Sequence, residues 1–193
     1  VAAFSFYPSK NLGAYGDGGA IVTDDAALAA KARMLRHGGQ SRTYEHEILG
    51  TNSRLDEIQA AILRTKLQHL DPRNERRRTL AARYDSGLDR LGDLALPTVP
   101  DGVEHVFHLY VVRTQFRKPL QAYLAGAGVG TGVHYPKAVD QQGAYASLGY
   151  EPGSCPNAEQ AATEVLSLPM FPQLTEQELD QASRLIRFFY AMR

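Results

Sequence analysis

The sequence predicts an α/β protein, on three observations. Short β-branched runs such as Ala20-Ile21-Val22-Thr23 are bounded by glycine or aspartate, as strands are. Elsewhere apolar residues recur at helical spacing, as at Leu55, Ile58, Ile62 and Leu63, continued by Leu67 and Leu70. In the second half the order strand, helix, strand, then helices is that of a small α/β domain.

Taken in order, residues 1–6 form the end of a buried strand feeding a loop that carries Lys10. Gly18-Gly19 leads into the strand at 20–23, and Asp24 or Asp25 caps a helix over 26–36, ended by His37-Gly38-Gly39. Residues 40–53 are polar and glycine-containing and are expected to be a loop. An amphipathic helix follows from about Leu55, where Asn52 and Ser53 are suited to cap it. Pro72 marks a kink or boundary, and 74–91 resumes as a helix closed by Gly92. This divides the chain into 1–72, part of a larger domain, and 73–193, a connecting helix and a small C-terminal domain. Residues 94–102 are a Pro/Gly-punctuated linker. Residues 103–114 form a strand burying Val106, Leu109, Val111 and Val112, and 118–125 a short helix. A second strand spans 130–135, stopped by Pro136, and helices follow over 157–166 and 175–191.

The 193 residues are 44% hydrophobic and 22% charged, a globular profile. Lys+Arg and Asp+Glu balance at 21 each, which gives no global field for nucleic acid or membrane. A single cysteine, Cys155, excludes an internal disulfide and fits a reducing cytoplasm. No apolar run approaches the roughly 20 residues of a membrane helix. His105 and His108 lie on opposite faces of a strand, so no metal site is expected. The basic run Arg73, Arg76, Arg77, Arg78 is expected to be a solvated helix face, with contact to a nucleotide diphosphate as the alternative.

The chemistry concentrates in FSFYPSKNLGAYGDGGAIVT, residues 4–23. Lys10 is preceded by Ser5, Tyr7, Pro8 and Ser9 and followed by Gly13, Gly16, Gly18 and Gly19. Glycines admit tight turns and close approach, and hydroxyls and bare amides beside a lysine bind anions. A phosphate-binding P-loop has its glycines before the lysine, and a GxGxxG fingerprint would need glycine where Ile21 stands. What remains is a lysine that could form a Schiff base with an aldehyde cofactor of the pyridoxal phosphate type, or a solvated loop lysine.

SFYPSKNLGAYGDGGA resembles the cofactor-lysine segment of the DegT/DnrJ/EryC1/StrS family of pyridoxal-phosphate sugar aminotransferases. It is most similar to the branch that aminates C3 of nucleotide-linked 3-keto-6-deoxyhexoses. YEHEILGTNSRLDEIQAA resembles the segment G-x-N-x-R-[LM]-x-E-x-Q-A-A, and GTGVHYPKAVDQQGAY the pattern H-Y-P-x-P-x-H-x-Q. In the last, Ala138 replaces the usual proline and Asp140 the usual histidine.

The resemblance implies a type I, aspartate aminotransferase-like fold, of which the chain holds the end of the large domain and the small C-terminal domain. It has no initiator Met and is expected to be the C-terminal portion of a longer protein. The implied activity is amino transfer, with glutamate as the donor, to a nucleotide-linked keto sugar by ping-pong chemistry, in a cytoplasmic homodimer with shared active sites. Lys10 is the implied Schiff-base residue and Ser5 the phosphate-binding serine. Asn52 would reach the cofactor phosphate of the partner subunit. Tyr7, Arg54, His134 and Tyr135 are the candidate substrate contacts; Arg54 has Glu57 as an alternative partner, and a packed strand end is the alternative for His134 and Tyr135. The rivals are a same-family sugar dehydratase, whose relatives carry histidine in place of the lysine, and a non-catalytic regulatory module that binds the cofactor or a nucleotide sugar.

Overall fold

A computed structural model describes residues 1–193, and the chain divides into two units, Val1–Arg73 and Asn74–Arg193. In the first, strand β1 (Ala2–Ser5) pairs antiparallel with β2 (Gly19–Val22), Ala2 opposite Val22 and Ser5 opposite Gly19. The expected burial of β1 does not occur. All four residues are exposed, Phe4 by 54%, because β2 is its sole strand neighbour.

Asp25, not Asp24, caps α1 (Ala26–Leu35): its Oδ1 accepts from the N–H groups of Ala27 (2.8 Å) and Leu28 (3.0 Å), donors that otherwise lack a helical acceptor. Gly38 and Gly39 end the helix with φ of 65° and 78°, and the Gly39 N–H returns to the Met34 carbonyl at 2.8 Å. The loop expected over 40–53 contains a small hairpin, β3 (Gln40–Arg42) with β4 (Glu45–His46). Helix α2 (Glu57–Leu67) begins later than expected, with Asp56 at the N-cap position, so Asn52 and Ser53 do not cap it. Of its apolar stripe Leu63 is buried, whereas Ile58 and Leu67 are 74% and 55% exposed.

Helix α3 (Leu70–Leu88) runs through Pro72 without interruption. In a first turn the proline forfeits no i−4 hydrogen bond, so it is tolerated rather than kink-forming. The second unit is built on a two-stranded antiparallel sheet, β5 (Tyr110–Arg113) with β6 (Val165–Leu168), Tyr110 opposite Leu168. The expected strand over 103–114 shortens to β5. Tyr110 and Val112 face the core, while Val106 is 41% exposed. The expected helix over 157–166 divides into α5 (Pro156–Glu164) and β6. Residues 130–135 are not a strand; Gly132 alone bridges to Ser167.

Helices α4 (Arg117–Gly126) and α6 (Glu176–Ala191) complete this unit. Thr175 and Glu178 form a reciprocal capping box that starts α6, and Leu179, Ala182, Ile186 and Phe189 form its buried face. Tyr84 and Tyr110 stack at 4.8 Å between centroids; their hydroxyls donate to the Pro169 carbonyl (3.0 Å) and to Asp85 Oδ1 (2.5 Å). Burial raises the pKa of both hydroxyls, with Asp85 adding to the effect at Tyr110.

The solvated arginine face is overturned. Arg77 is 6% exposed, and its Nη1 donates to the carbonyls of Phe107 (3.0 Å), His108 (3.1 Å) and Met170 (3.0 Å). One guanidinium thus ties α3 to two irregular segments, and desolvation lowers its pKa. Arg76 bonds the Leu174 carbonyl, and Arg78 pairs with Glu75 and Glu104.

Candidate active site

Lys10 closes a four-residue turn: its N–H donates to the Tyr7 carbonyl at 2.9 Å, with Pro8 at the second position, where a fixed φ suits the turn. The Tyr7 N–H donates to Ser5 Oγ at 3.3 Å. The peptide groups of Tyr7 therefore hold Ser5 and Lys10 in one element. Phe6 anchors it from both sides, its N–H to the Gly18 carbonyl and its carbonyl to the Ala14 N–H, both at 2.8 Å.

The glycine pattern has a steric cause here. A Cβ on Gly13 would stand 2.3 Å from the Pro8 carbonyl oxygen, so only glycine lets the chain fold back under the lysine turn. Helix α2 holds this return from one face. Gln59 Oε1 accepts from the Tyr15 N–H (2.8 Å), while one turn pair further Lys66 Nζ donates to the Gly13 carbonyl and stands 5.3 Å from the Tyr15 ring centroid. Sequence reasoning aligned Gln59 to a motif without a role and overlooked Lys66; their i, i+7 spacing on one helix face was the available signal. Ser5 and Tyr7 are exposed and Lys10 is half-buried.

Asn52 and Arg54 belong to a second strip in the same unit. Backbone bonds join the end of α1 to residues 51–53: Thr51 N–H to Leu35 (2.8 Å), Gly38 N–H to Thr51 (2.9 Å) and Ser53 N–H to Arg36 (2.9 Å). His37 lies opposite Asn52 in this pairing. Arg54 Nη1 donates to His37 Nδ1 at 3.3 Å, the one direction open to a guanidinium, which carries donors alone. His37, not Glu57, is therefore the hydrogen-bond partner of Arg54, and nothing in the motif pointed to it. Asn52 and Arg54 line a cleft of about 1060 Å³ together with Arg33, Arg36, Asp17 and Asp56. Three guanidinium groups against two carboxylates favour an anion there. Ser5, Tyr7 and Lys10 do not line this cleft.

In the second unit, His134 Nδ1 is bonded to Ser167 Oγ on β6 at 2.8 Å, and its ring meets Tyr135 edge-on at 5.5 Å. A Cβ on Gly132 would stand 2.6 Å from His134 Cε1, so the glycine makes room for the imidazole. Tyr135 is 69% exposed. Ala138 is buried, and the Oδ2 of Asp140 is buried without a hydrogen-bond partner.

A pyridoxal phosphate needs a primary amine for its aldehyde and donors for its phosphate. Lys10 and Ser5 present an amine and a hydroxyl on one turn, the Ser5 oxygen accepting from backbone and leaving its O–H to donate. The side chains present fit the group.

Residues 1–187 match the DegT/DnrJ/EryC1/StrS aminotransferase family. The chain is 52% identical over 180 residues to the erythromycin biosynthesis sensory transduction protein EryC1 of Saccharopolyspora erythraea, covering 93% of this chain and 49% of that protein. It is 52% identical over 186 residues to the dTDP-3-amino-3,4,6-trideoxy-alpha-D-glucose transaminase of Streptomyces venezuelae, covering 96% and 48%. Among solved structures it is similar to S. venezuelae DesV in complex with a ketimine intermediate, with a TM-score of 0.95 and 48% identity over 98% of this chain and 51% of that one. The chain spans about half the length of the curated relatives it matches.

Proposed function

The chain belongs to the DegT/DnrJ/EryC1/StrS aminotransferase family, and from that premise we propose that its protein is a pyridoxal-phosphate aminotransferase acting on a nucleotide-linked keto sugar, with glutamate as the amino donor and two subunits sharing each site. The observation that carries the reading is the Lys10 turn, an amine and the Ser5 hydroxyl held together through Tyr7 and made possible by Gly13. When bound, the cofactor supplies an aldehyde that carries the amino group and a ring that takes up electrons.

Lys10 Nζ is the amine that would hold the cofactor, and it is placed to take up and return a proton at its own nitrogen. The Ser5 O–H would donate to the phosphate, and Asn52 would offer its amide to the phosphate of the partner's cofactor. Arg54, kept in place by His37, binds an anionic part of a substrate. His134, oriented by Ser167, and the exposed ring of Tyr135 face the sugar nucleotide. Lys10 itself separates this activity from the family's sugar dehydratases, which carry histidine there.

The name of the Saccharopolyspora relative, a sensory transduction protein, favours one second reading, a regulatory module that binds the cofactor or a nucleotide sugar without turnover. The visible absorbance of the full-length protein with pyridoxal phosphate tests both. A yellow colour that bleaches on glutamate, and is missing from Lys10→Ala, is the expected result. Colour that persists with glutamate would favour the regulatory module. A protein that stays colourless with added cofactor would refute the aminotransferase and leave a module that binds the nucleotide sugar.

A further inference from the structure

The second unit holds a pocket whose lining includes none of the seven candidate site residues. Its volume is about 470 Å³, within the range of small-molecule sites, and it lies between the loop after α3 and the last turns of α6. Leu91, Phe188 and Tyr190 give it an apolar, aromatic lining; Arg90, Arg184 and Arg187 supply its charge.

The pocket has a fixed wall. Gly92, with φ 49°, presses against the Tyr190 ring so closely that a Cβ would stand 2.7 Å from Cδ1. The Tyr190 hydroxyl is held by Asp93 Oδ1 (2.8 Å) and Thr114 Oγ1 (2.7 Å), which fixes the ring plane. Phe188, by contrast, is 62% exposed, a large ring left at the surface.

The arginines are short of carboxylates. On the same helix Asp180 and Glu176 are engaged by Arg83, with contacts of 2.7 and 3.0 Å. Arg187 donates to the Gly87 carbonyl, at 3.2 Å, and Arg184 acts on the carboxylate of Asp180, which Arg83 already holds at 2.7 Å. Arg90 pairs with its own neighbour Asp89 at 3.3 Å, with both side chains largely exposed, a contact that contributes little. In a chain of zero net charge this is a local excess of guanidinium groups beside exposed aromatic surface. Guanidinium groups bind phosphate bidentately, and an aromatic wall accepts a planar ring.

We propose that this pocket is a binding site for a small phosphorylated molecule with a planar ring, the ring against Tyr190 and Phe188 and the phosphate between Arg184 and Arg187. It stands independently of the aminotransferase reading.

The test is a titration of the full-length protein with phenyl phosphate, followed by the backbone amide resonances of Leu91, Gly92 and residues 187–191. Inorganic phosphate and benzyl alcohol are the separate charge and ring probes. The expected result is saturable shifts at those amides, with phenyl phosphate at least tenfold tighter than either probe. Arg184→Gln and Ala191→Glu, both at exposed positions, should each weaken binding about tenfold while leaving the spectrum otherwise unchanged. Phosphate binding as tightly as phenyl phosphate would overturn the ring site. Shifts confined to other residues, unaffected by the two variants, or absent altogether, would overturn the site as a whole.

Discussion

The two units are held together by different physics. In Val1–Arg73 the buried apolar residues are Ala14 and Leu63, and order comes from backbone hydrogen bonds, close-fitting glycines and two side chains of α2. In Asn74–Arg193 an apolar core runs from Leu80 to Phe189 and includes eighteen buried side chains, with Arg77 and tyrosine hydroxyls tying loops to it. Burial of each large side chain contributes roughly 1.5–3 kcal/mol, so within residues 1–193 the apolar stabilisation is concentrated in the second unit. The lesson is that the lysine turn is a device of geometry. Its residues are exposed or half-buried, and small backbone changes there should alter chemistry before they alter stability.

The comparison can be broken most decisively at Lys10. Lys10→Ala should lower amine turnover by about 10³-fold, in the range of a lost acid–base group, with an unchanged unfolding midpoint. A large fall in the midpoint would show that the lysine is structural. Arg77→Met tests the other unit by leaving three carbonyls without their donor; a loss of about 3 kcal/mol is expected in urea unfolding, with the cofactor chromophore retained if the protein is kept folded. A loss below about 1 kcal/mol would mean that water or relaxation replaces the guanidinium.

Gly13→Ala sharpens the contrast within the first unit. The new methyl group must displace the Pro8 peptide, at a cost of about 1–3 kcal/mol, and turnover should fall about tenfold or more. Unchanged turnover would contradict the geometric account of the turn.

The smallest effect belongs to Tyr190. Its folded pKa is pushed from 10.0 to about 12, chiefly by burial; the hydrogen bond with Thr114 opposes the shift and Asp93 adds to it. Because the folded value is the higher one, this stabilisation is complete below the unfolded pKa near 10 and declines as pH rises through about 12. Tyr190→Phe should cost about 1 kcal/mol at neutral pH and flatten the loss of stability between pH 10 and 12. Equal alkaline slopes in the two proteins would refute it.

Much of this was legible in the residues. The α/β class, the Asp25 cap, the Gly38-Gly39 stop, the Thr175 start of α6 and the motif around Lys10 follow from local rules, because capping, turn chemistry and glycine permissiveness act within a few positions. What local pattern could not supply is the choice of partner. Val165 and Leu166 continued a helical stretch until pairing of Val165–Leu168 with Tyr110–Arg113 made it a strand, and β-branched residues at 103–109 stayed irregular for want of such a partner. Arg77 read as one of four solvated arginines because its carbonyl acceptors lie 30 and 93 residues away. The sequence by itself determined which side chains carry chemistry and where the chain turns. Tertiary structure alone decided that His37 holds Arg54 and that Ser167 holds His134, since those hydrogen bonds depend on distance in space and not along the chain.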